Sequence, residues 1–286
     1  MEMVHFIPSD QRRLAMSAAL SDPDPVLISG ASGTGKSAMG KWIHLNSPRS
    51  TKSLMTYVNN KALAEQLYAA QGGAFFIPEI TNIPLGEQKQ LYDFIKTRSL
   101  PHPENPGLKA LINVRIIAGT EHDLNNRAQA GMFNAELLAR FKANHLEMPR
   151  LSDRLEEFED ITDELLKEIT RETHKNHIQE ISPAALDILK SYDWPANLRE
   201  LRNTLRMAVV HAEGDTIEAS DIPDLNSRKM DLRATREEFE KIYLVELFKT
   251  FDWDLEKVGK NIQMERSVLL EKAKRHGILA PAHNKA

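Results

Sequence analysis

The sequence predicts an α/β fold, in which a parallel sheet with flanking helices is followed by segments that are helical only. Three short apolar runs rich in β-forming residues punctuate the first half of the chain, at 26–29, 74–77 and 114–118. Helical patterns separate these runs, at 37–45, 61–70 and 86–96. Alternating strands and helices are typical of a parallel sheet that is covered by helices on both faces.

A glycine-rich loop directly after the first predicted strand carries the clearest chemical signal. Residues 30–37 read Gly-Ala-Ser-Gly-Thr-Gly-Lys-Ser, which is the phosphate-binding pattern G-x-x-x-x-G-K-[ST]. The backbone N–H groups of such a loop point at one oxyanion, Lys36 adds a cation for the outer phosphates, and the Ser37 hydroxyl is a Mg²⁺ ligand. We therefore predict a site for ATP or ADP with Mg²⁺. Its nucleotide-binding residues within the loop are Gly30, Ser32, Gly33, Thr34, Gly35, Lys36 and Ser37.

Composition limits the classes of protein that remain. The 286 residues carry a net charge of -4 and include no cysteine, which excludes disulfides and cysteine-based metal or catalytic sites. The N-terminus has no signal-peptide pattern, and no run of about 18 apolar residues could span a membrane. We expect a cytoplasmic protein without membrane contact, in which any affinity for nucleic acid is local.

The second apolar strand run should end at the catalytic acids of a P-loop ATPase. Residues 72–80 read Gly-Gly-Ala-Phe-Phe-Ile-Pro-Glu-Ile, so Glu79 is present but Pro78 precedes it. Proline has no carboxylate with which to bind a metal and no N–H for the strand ladder. Glu79 is either a retained general base, the interpretation we favour, or a solvated acid at the end of a strand.

Several stretches together resemble the AAA+ bacterial enhancer-binding proteins, the NtrC-like activators of sigma-54 RNA polymerase. The matching stretches, in the family's order, are 30–37, 72–80, 114–120, 131–141, 194–203 and the C-terminal helices. The resemblance implies an AAA+ P-loop α/β core at 1–150, a helical lid at 151–222, a linker at 223–232 and a Fis-like helix-turn-helix DNA-binding domain at 233–286. It also implies that Thr120 and Arg199 contact the nucleotide. The family's N-terminal sensory domain is expected to be absent, because the phosphate loop starts at residue 30.

Four departures from the family pattern bear on activity. The loop Gly-Ala-Phe-Thr-Gly-Ala that contacts sigma-54 has no room between residues 61–70 and Gly72. Pro78 replaces the metal-binding Asp, and Glu121 stands where the family has Asn, so it either repels the γ-phosphate or takes over the metal. Of two arginines that resemble trans-acting fingers, Arg140 remains as a catalytic candidate while Asn134 occupies the other position. Loss of an arginine finger and a metal ligand should depress turnover strongly.

The C-terminal helices predict a DNA reader. Helical patterns at 236–251, 255–262 and 265–276 surround a tight turn at Gln263, where the family has glycine. The second helix of such a pair enters the major groove, and its cations contact phosphates. The candidate DNA-binding residues are Lys260, Arg266, Ser267, Lys272, Lys274 and Arg275. The alternative is a helical hairpin that serves dimerisation alone.

The leading hypothesis is a nucleotide-binding transcriptional regulator of the sigma-54-activator type that does not remodel the polymerase and hydrolyses ATP weakly or not at all. Its expected partners are double-stranded DNA and further copies of itself, as a dimer or an AAA+ ring. RNA polymerase and other family members are candidate partners. Two alternatives stay open: an active ATPase that uses Glu79 and Arg140, and a co-assembling inhibitor of other family members. Another nucleotide, such as a cyclic dinucleotide, also remains open as the ligand.

Overall fold

A five-stranded parallel sheet forms the centre of the N-terminal half of the chain. The structure is a computed structural model that describes residues 6–102, 107–225, 232–251, 253–262 and 264–278. Its first seven strands are β1 (Val26–Gly30), β2 (Leu54–Thr56), β3 (Ala74–Ile77), β4 (Ser99–Pro101), β5 (Lys109–Leu111), β6 (Arg115–Thr120) and β7 (His145–Met148). The sheet has the order β2-β3-β6-β1-β7, and every neighbouring pair is parallel. The predicted α/β fold is confirmed.

Helices connect these strands and then continue without the sheet. The first seven are α1 (Arg12–Leu20), α2 (Lys36–Leu45), α3 (Leu63–Ala69), α4 (Leu85–Thr97), α5 (Leu124–Gln129), α6 (Ala135–Phe141) and α7 (Phe158–Glu172). After them come β8 (Glu180–Ile181), α8 (Pro183–Lys190), α9 (Asn197–His211), β9 (Thr216–Ile217), α10 (Leu232–Thr250), α11 (Leu255–Asn261) and α12 (Arg266–Arg275). The three helices predicted between the strands are present, with boundaries that differ by one or two residues.

Successive side chains of the central strands pack on opposite faces of the sheet. Phe75 of β3 and Ile116 of β6 belong to one apolar cluster, whereas Phe76 and Ile117, one position later, belong to another. All four side chains are at most 4% exposed. This burial on both faces explains why the strand runs are continuously apolar rather than alternating.

Buried arginines fix the edge of the sheet opposite the carboxyl ends of the strands. Arg115 is fully buried and donates to the carbonyl oxygen of Ala19 at 2.8 Å. Arg49 donates to Asp22 Oδ1 at 2.7 Å and to the Asn113 carbonyl oxygen at 3.1 Å. Because a buried guanidinium needs partners for its donors, these bonds tie the start of β6 to the segments around it.

Another ion pair anchors the N-terminal segment. Arg154 donates to the carbonyl oxygen of Phe6 at 3.2 Å and pairs with Glu157, whose Oε1 accepts a 2.8 Å bond from Ser9 N. Burial alone would raise the pKa of Glu157, but the hydrogen bonds from Ser9 and Arg154 outweigh it and hold the pKa below its ordinary value. The carboxylate is therefore stabilised in its ionised form.

The proline-rich stretch after α4 corrects one prediction. The prolines at 101, 103 and 106 predict a surface loop without regular structure at 101–107, but Pro101 ends β4 and pairs with Lys109 of β5 in an antiparallel hairpin. Proline is tolerated there because a two-stranded ribbon has a free edge that needs no N–H donor. The rest of the predicted loop includes residues 103–106, which lie outside the described residues.

The chain divides into two compact units. One contains the described residues up to Leu165 together with Asp193–Arg202, and the other contains Leu166–Tyr192 together with the described residues from Asn203 onward. The second unit holds an apolar cluster formed by α10, α11 and α12, whose buried members are Leu244, Leu247, Phe248, Val258, Leu269 and Ala273. Within the described ranges, no helix has the length and apolar character needed to cross a membrane.

Candidate functional site

The phosphate loop joins β1 to α2 at the carboxyl edge of the sheet. Gly33 and Gly35 adopt φ values of +76° and +100°, a left-handed backbone that favours glycine. A Cβ atom on Gly33 would also lie 2.0 Å from the carbonyl oxygen of Ala196. Both the backbone conformation and this close approach therefore require glycine at position 33.

The loop lysine is turned back onto its own loop. Lys36 Nζ donates to the carbonyl oxygens of Gly30 and Ala31, at 2.8 and 2.9 Å, and lies 3.5 Å from Glu121 Oε1. Burial lowers the pKa of Lys36, and its ion pair with Glu121 partly offsets that effect. Ser37 is exposed at the start of α2, where its hydroxyl is available to a ligand.

The carboxylate of Glu79 is engaged by neighbouring groups. Its Oε1 accepts hydrogen bonds from Thr81 Oγ1 at 2.8 Å and from Thr120 Oγ1 at 3.0 Å. Its Oε2 accepts a 2.7 Å bond from the backbone N–H of Glu121. Glu79 and the end of β6 are thus brought together, and the carboxylate fixes the backbone at Glu121 instead of standing free.

A segment before and at the start of α9 lies on the phosphate loop. Asn197 is 2% exposed; its Nδ2 donates to the Ser32 carbonyl oxygen at 2.9 Å, and its Oδ1 accepts from Leu151 N at 2.8 Å. Arg199 is exposed and donates to Ser32 Oγ at 3.4 Å. The predicted nucleotide residue Arg199 is therefore next to the loop. Sequence reasoning missed Asn197, whose left-handed φ of +54° is compatible with a Pro-Ala-Asn sequence before a helix.

The two candidate finger positions differ in what their side chains do. Arg140 is exposed near the end of α6, with its guanidinium carbon 5.7 Å from the centre of the Tyr92 ring. Asn134 caps α6, because its Oδ1 accepts a 2.8 Å bond from Leu137 N. The structure gives Asn134 a local helix-capping role.

A cavity of about 570 Å³ lies beside the loop, at the carboxyl ends of β1, β6 and β7. Carboxylates from Glu121, Asp123, Glu147 and Asp153 line it, with Lys142 and Arg150 as the facing cations. Ser29 Oγ and His145 Nε2 lie 2.8 Å apart at its wall. The four carboxylates outnumber the two cations, so the space next to Glu121 is acidic.

These residues fit Mg²⁺ poorly. Mg²⁺ prefers carboxylate and water oxygens, but position 78 is proline, Glu79 accepts hydrogen bonds, and Glu121 is paired with Lys36. Among the residues that the structure describes, no group of three or more His, Asp or Glu side chains could hold a metal ion. The Ser37 hydroxyl is the predicted ligand that remains available.

Two protein-family models match successive parts of this chain. The family model described as "Sigma-54 interaction domain" matches residues 10–151, and the model described as "AAA+ ATPase lid domain" matches residues 152–238. The chain belongs to the NtrC-like sigma-54 activators. The first family model covers the phosphate loop, and the second covers the segment around Asn197 that lies on it.

Individual relatives in the sigma-54 activator family are similar over most of this chain. The transcriptional regulatory protein ZraR of Salmonella typhimurium is 31% identical over 245 residues, which are 77% of this chain and 55% of ZraR. The regulatory protein AtoC of Escherichia coli K12 is 29% identical over 312 residues, covering 95% of this chain and 66% of AtoC. The chain thus spans between about half and two thirds of the length of these relatives.

Solved structures share the fold. The crystal structure of NtrX from Brucella abortus in complex with ADP superposes with a TM-score of 0.64 at 23% identity, over 94% of this chain and 68% of NtrX. The complex of the same protein with ATP gives 0.63 at 24% identity. At this level of identity the likeness supports the fold of the chain.

The stretch in which the sequence predicts no room for the family's contact loop lies between β2 and β3. Residues 70–73 connect α3 directly to β3, and all residues between β2 and β3 are described. No further loop is inserted in this stretch of the structure.

The second unit carries the candidate DNA interface. Five of the six predicted residues are exposed, namely Lys260, Arg266, Ser267, Lys274 and Arg275. The sixth, Lys272, is half-buried and pairs with Glu240 of α10, so its cation is partly neutralised within the unit.

The turn between α11 and α12 brings two backbone segments close together. Met264 N donates to the Gly259 carbonyl oxygen at 2.9 Å, and a Cβ on Gly259 would lie 2.8 Å from Met264 O. The close approach in this turn falls on Gly259, while Gln263 lies outside the described residues.

Proposed function

We propose that this chain is a nucleotide-binding and DNA-binding transcriptional regulator of the sigma-54-activator type that hydrolyses ATP weakly or not at all and does not remodel the polymerase. The main support for weak hydrolysis is the carboxylate of Glu79, which accepts hydrogen bonds from Thr81, Thr120 and Glu121. The phosphate loop beside it has every residue of its sequence pattern. The proposal keeps the nucleotide as a ligand that shifts assembly or DNA affinity.

Nucleotide binding is supported by the loop itself. The left-handed glycines, the buried Lys36 and the exposed Ser37 form the arrangement that cradles phosphates. NtrX of Brucella abortus, which shares the fold, has been crystallised with ADP and with ATP. We propose ATP or ADP as the ligand here, with Thr120 and Arg199 as further contacts.

The acidic residues near the phosphate loop support weak hydrolysis of ATP. A general base must be free to accept a proton from the attacking water. Glu79 Oε1 and Oε2 instead hold the threonine hydroxyls and the Glu121 amide, and Pro78 supplies no metal ligand. The direct connection between α3 and β3 leaves out the segment that contacts sigma-54 in the family, which supports a chain that does not remodel the polymerase.

DNA binding is proposed for the second unit. The exposed cations of α11 and α12 supply phosphate contacts, and α12 is the helix proposed to enter the major groove. We propose residues 1–150 as the core, 151–222 as the lid, 223–232 as the linker and 233–286 as the DNA-binding domain. Self-association and a cytoplasmic location complete the proposal.

Steady-state phosphate release decides between the regulator and the active ATPase. We expect background rates for the unchanged chain and for Glu79→Gln alike, together with no open-complex formation at a sigma-54 promoter. The Lys36→Ala variant provides the baseline. The exposed Arg140 and Ser37 favour the active ATPase, and brisk hydrolysis that Glu79→Gln or Arg140→Ala abolishes would establish that alternative.

A further inference from the structure

Glu121 places a carboxylate where a phosphate would bind. A phosphate-loop lysine normally reaches the β- and γ-phosphates of the nucleotide. Here the group of opposite charge next to Lys36 Nζ is Glu121 Oε1, at 3.5 Å. Lys36 Nζ also donates to the loop carbonyl oxygens of Gly30 and Ala31. The carboxylate therefore occupies the position of an anionic ligand of the lysine.

The backbone of Glu121 is held within reach of the loop. Its N–H donates to Glu79 Oε2 at 2.7 Å, and the preceding residue, Thr120, donates its hydroxyl to Glu79 Oε1 at 3.0 Å. Ser29 of β1 pairs in register with Thr120 of β6, one residue before the loop begins. The side chain of Glu121 is 42% exposed and can rotate, but its Cα cannot move away from Lys36 without breaking these bonds.

The surrounding charges reinforce the effect of Glu121. The cavity that Glu121 lines is also lined by three further carboxylates and by two cations. An anionic group that extends beyond Lys36 in this direction meets net negative charge, and like charges at close range cost binding affinity. A diphosphate that stays within the loop N–H groups avoids this region.

We infer that Glu121 makes this site select nucleoside diphosphates over nucleoside triphosphates, by occupying the side of Lys36 on which a γ-phosphate would bind. The inference rests on the proposed nucleotide binding and specifies its ligand. Under this inference the chain responds to the diphosphate, and a triphosphate binds only when Glu121 is displaced.

Calorimetric titration of the full chain with ADP and with ATP, each with EDTA and with Mg²⁺, tests the inference. The variants are Glu121→Gln, which removes the charge and keeps the shape, and Glu147→Gln, which removes a carboxylate from the same cavity without a contact to Lys36. We expect the unchanged chain to bind ADP at least about tenfold more tightly than ATP, which corresponds to about 1.4 kcal/mol. Glu121→Gln should remove most of that difference by tightening ATP, and Glu147→Gln, whose carboxylate does not contact Lys36, should reduce it far less.

Each other outcome overturns the inference in a distinguishable way. Equal affinities for ADP and ATP in the unchanged chain would overturn it and leave nucleotide binding intact. ATP binding that needs Mg²⁺ and is weakened by Glu121→Gln would overturn it by making Glu121 a metal ligand. If neither nucleotide bound the unchanged chain, and Lys36→Ala titrated identically, the proposed nucleotide binding would fall as well. Circular dichroism of each variant establishes that it is folded.

Discussion

Replacing Asn197 by alanine should loosen the segment that lies on the phosphate loop. The side chain is 2% exposed and bridges two distant backbone groups, the Ser32 carbonyl oxygen and the Leu151 N–H. Alanine removes both hydrogen bonds. It also places a side chain without local hydrogen bonding at a backbone φ of +54°.

The expected cost has three parts. Leaving the buried Leu151 N–H without a partner costs about 1–3 kcal/mol, and the half-buried Ser32 carbonyl oxygen adds about 0.5–1 kcal/mol. A left-handed conformation costs a non-glycine residue about 1–2 kcal/mol, which asparagine partly recovers through local hydrogen bonds. The Asn197→Ala variant should therefore lose about 3–5 kcal/mol of unfolding free energy. Asn197→Gly loses the same bonds but adopts the φ without strain, so it should lose about 1–2 kcal/mol less.

Urea unfolding followed by tryptophan fluorescence measures this effect, because Trp42 and Trp194 both belong to the unit that contains the loop. The exposed Asn125 of α5 supplies the control, since Asn125→Ala should change the free energy by no more than about 0.5 kcal/mol. A loss below about 1 kcal/mol for Asn197→Ala would refute the bridging role. Equal losses for the alanine and glycine variants would refute the strain argument.

Two further predictions concern the same unit. A Cβ on Gly40 of α2 would lie 2.7 Å from the buried Phe76 ring, so Gly40→Ala should lower the free energy of unfolding in urea by about 1–3 kcal/mol. The control is Gly86→Ala in α4, where nothing lies within 4 Å of the added Cβ. This variant should leave the free energy of unfolding unchanged or raise it by up to about 1 kcal/mol. Because the pKa of Glu157 is lower in the folded chain, its contribution is fully present above the ordinary value of 4.5 and is lost as the pH falls through the lowered value. Unfolding free energies measured between pH 6 and 3 should fall less steeply for Glu157→Gln, and parallel curves would contradict the assignment.

Local sequence signals predicted the parts of the fold that depend on neighbours in the chain. The phosphate loop, the apolar central strands and the cap of α8 each follow from a few consecutive residues. At α8, serine followed by proline at 182–183 is a typical signal for a helix start, and Ser182 Oγ accepts a bond from Ala185 N at 3.4 Å. The edge strands β2 and β7 were missed because both are short: β2 has three residues, none of them buried, and the alternation of exposed and buried residues in β7 covers only four positions. The predicted domain boundaries stay predictions.

The hydrogen bonds that determine the chemistry of the site could not be predicted from the sequence, because they join residues that are far apart in the chain. Asn197 contacts Ser32 across 165 positions, and Glu79 accepts from Thr120 across 41. The contact between Glu79 and Thr120 requires the strand order, which places β3 next to β6, and the contact of Asn197 requires that the start of α9 packs on the phosphate loop. A pattern read along the chain gives the residue types at a sheet edge but not which of their atoms meet.

Pro78 and Glu121 both change the charges that a γ-phosphate would meet at this site. In a hydrolysing phosphate-loop site, the lysine offsets phosphate charge and a carboxylate holds the metal. In this chain the position that would hold the metal is proline, and a new carboxylate at position 121 faces the lysine instead. Glu79 couples the two changes, because it follows Pro78 directly and its Oε2 accepts the Glu121 N–H. Under the proposed function both residues therefore act in one direction: each would weaken the binding of a γ-phosphate, while the loop N–H groups proposed to hold the inner phosphates are retained.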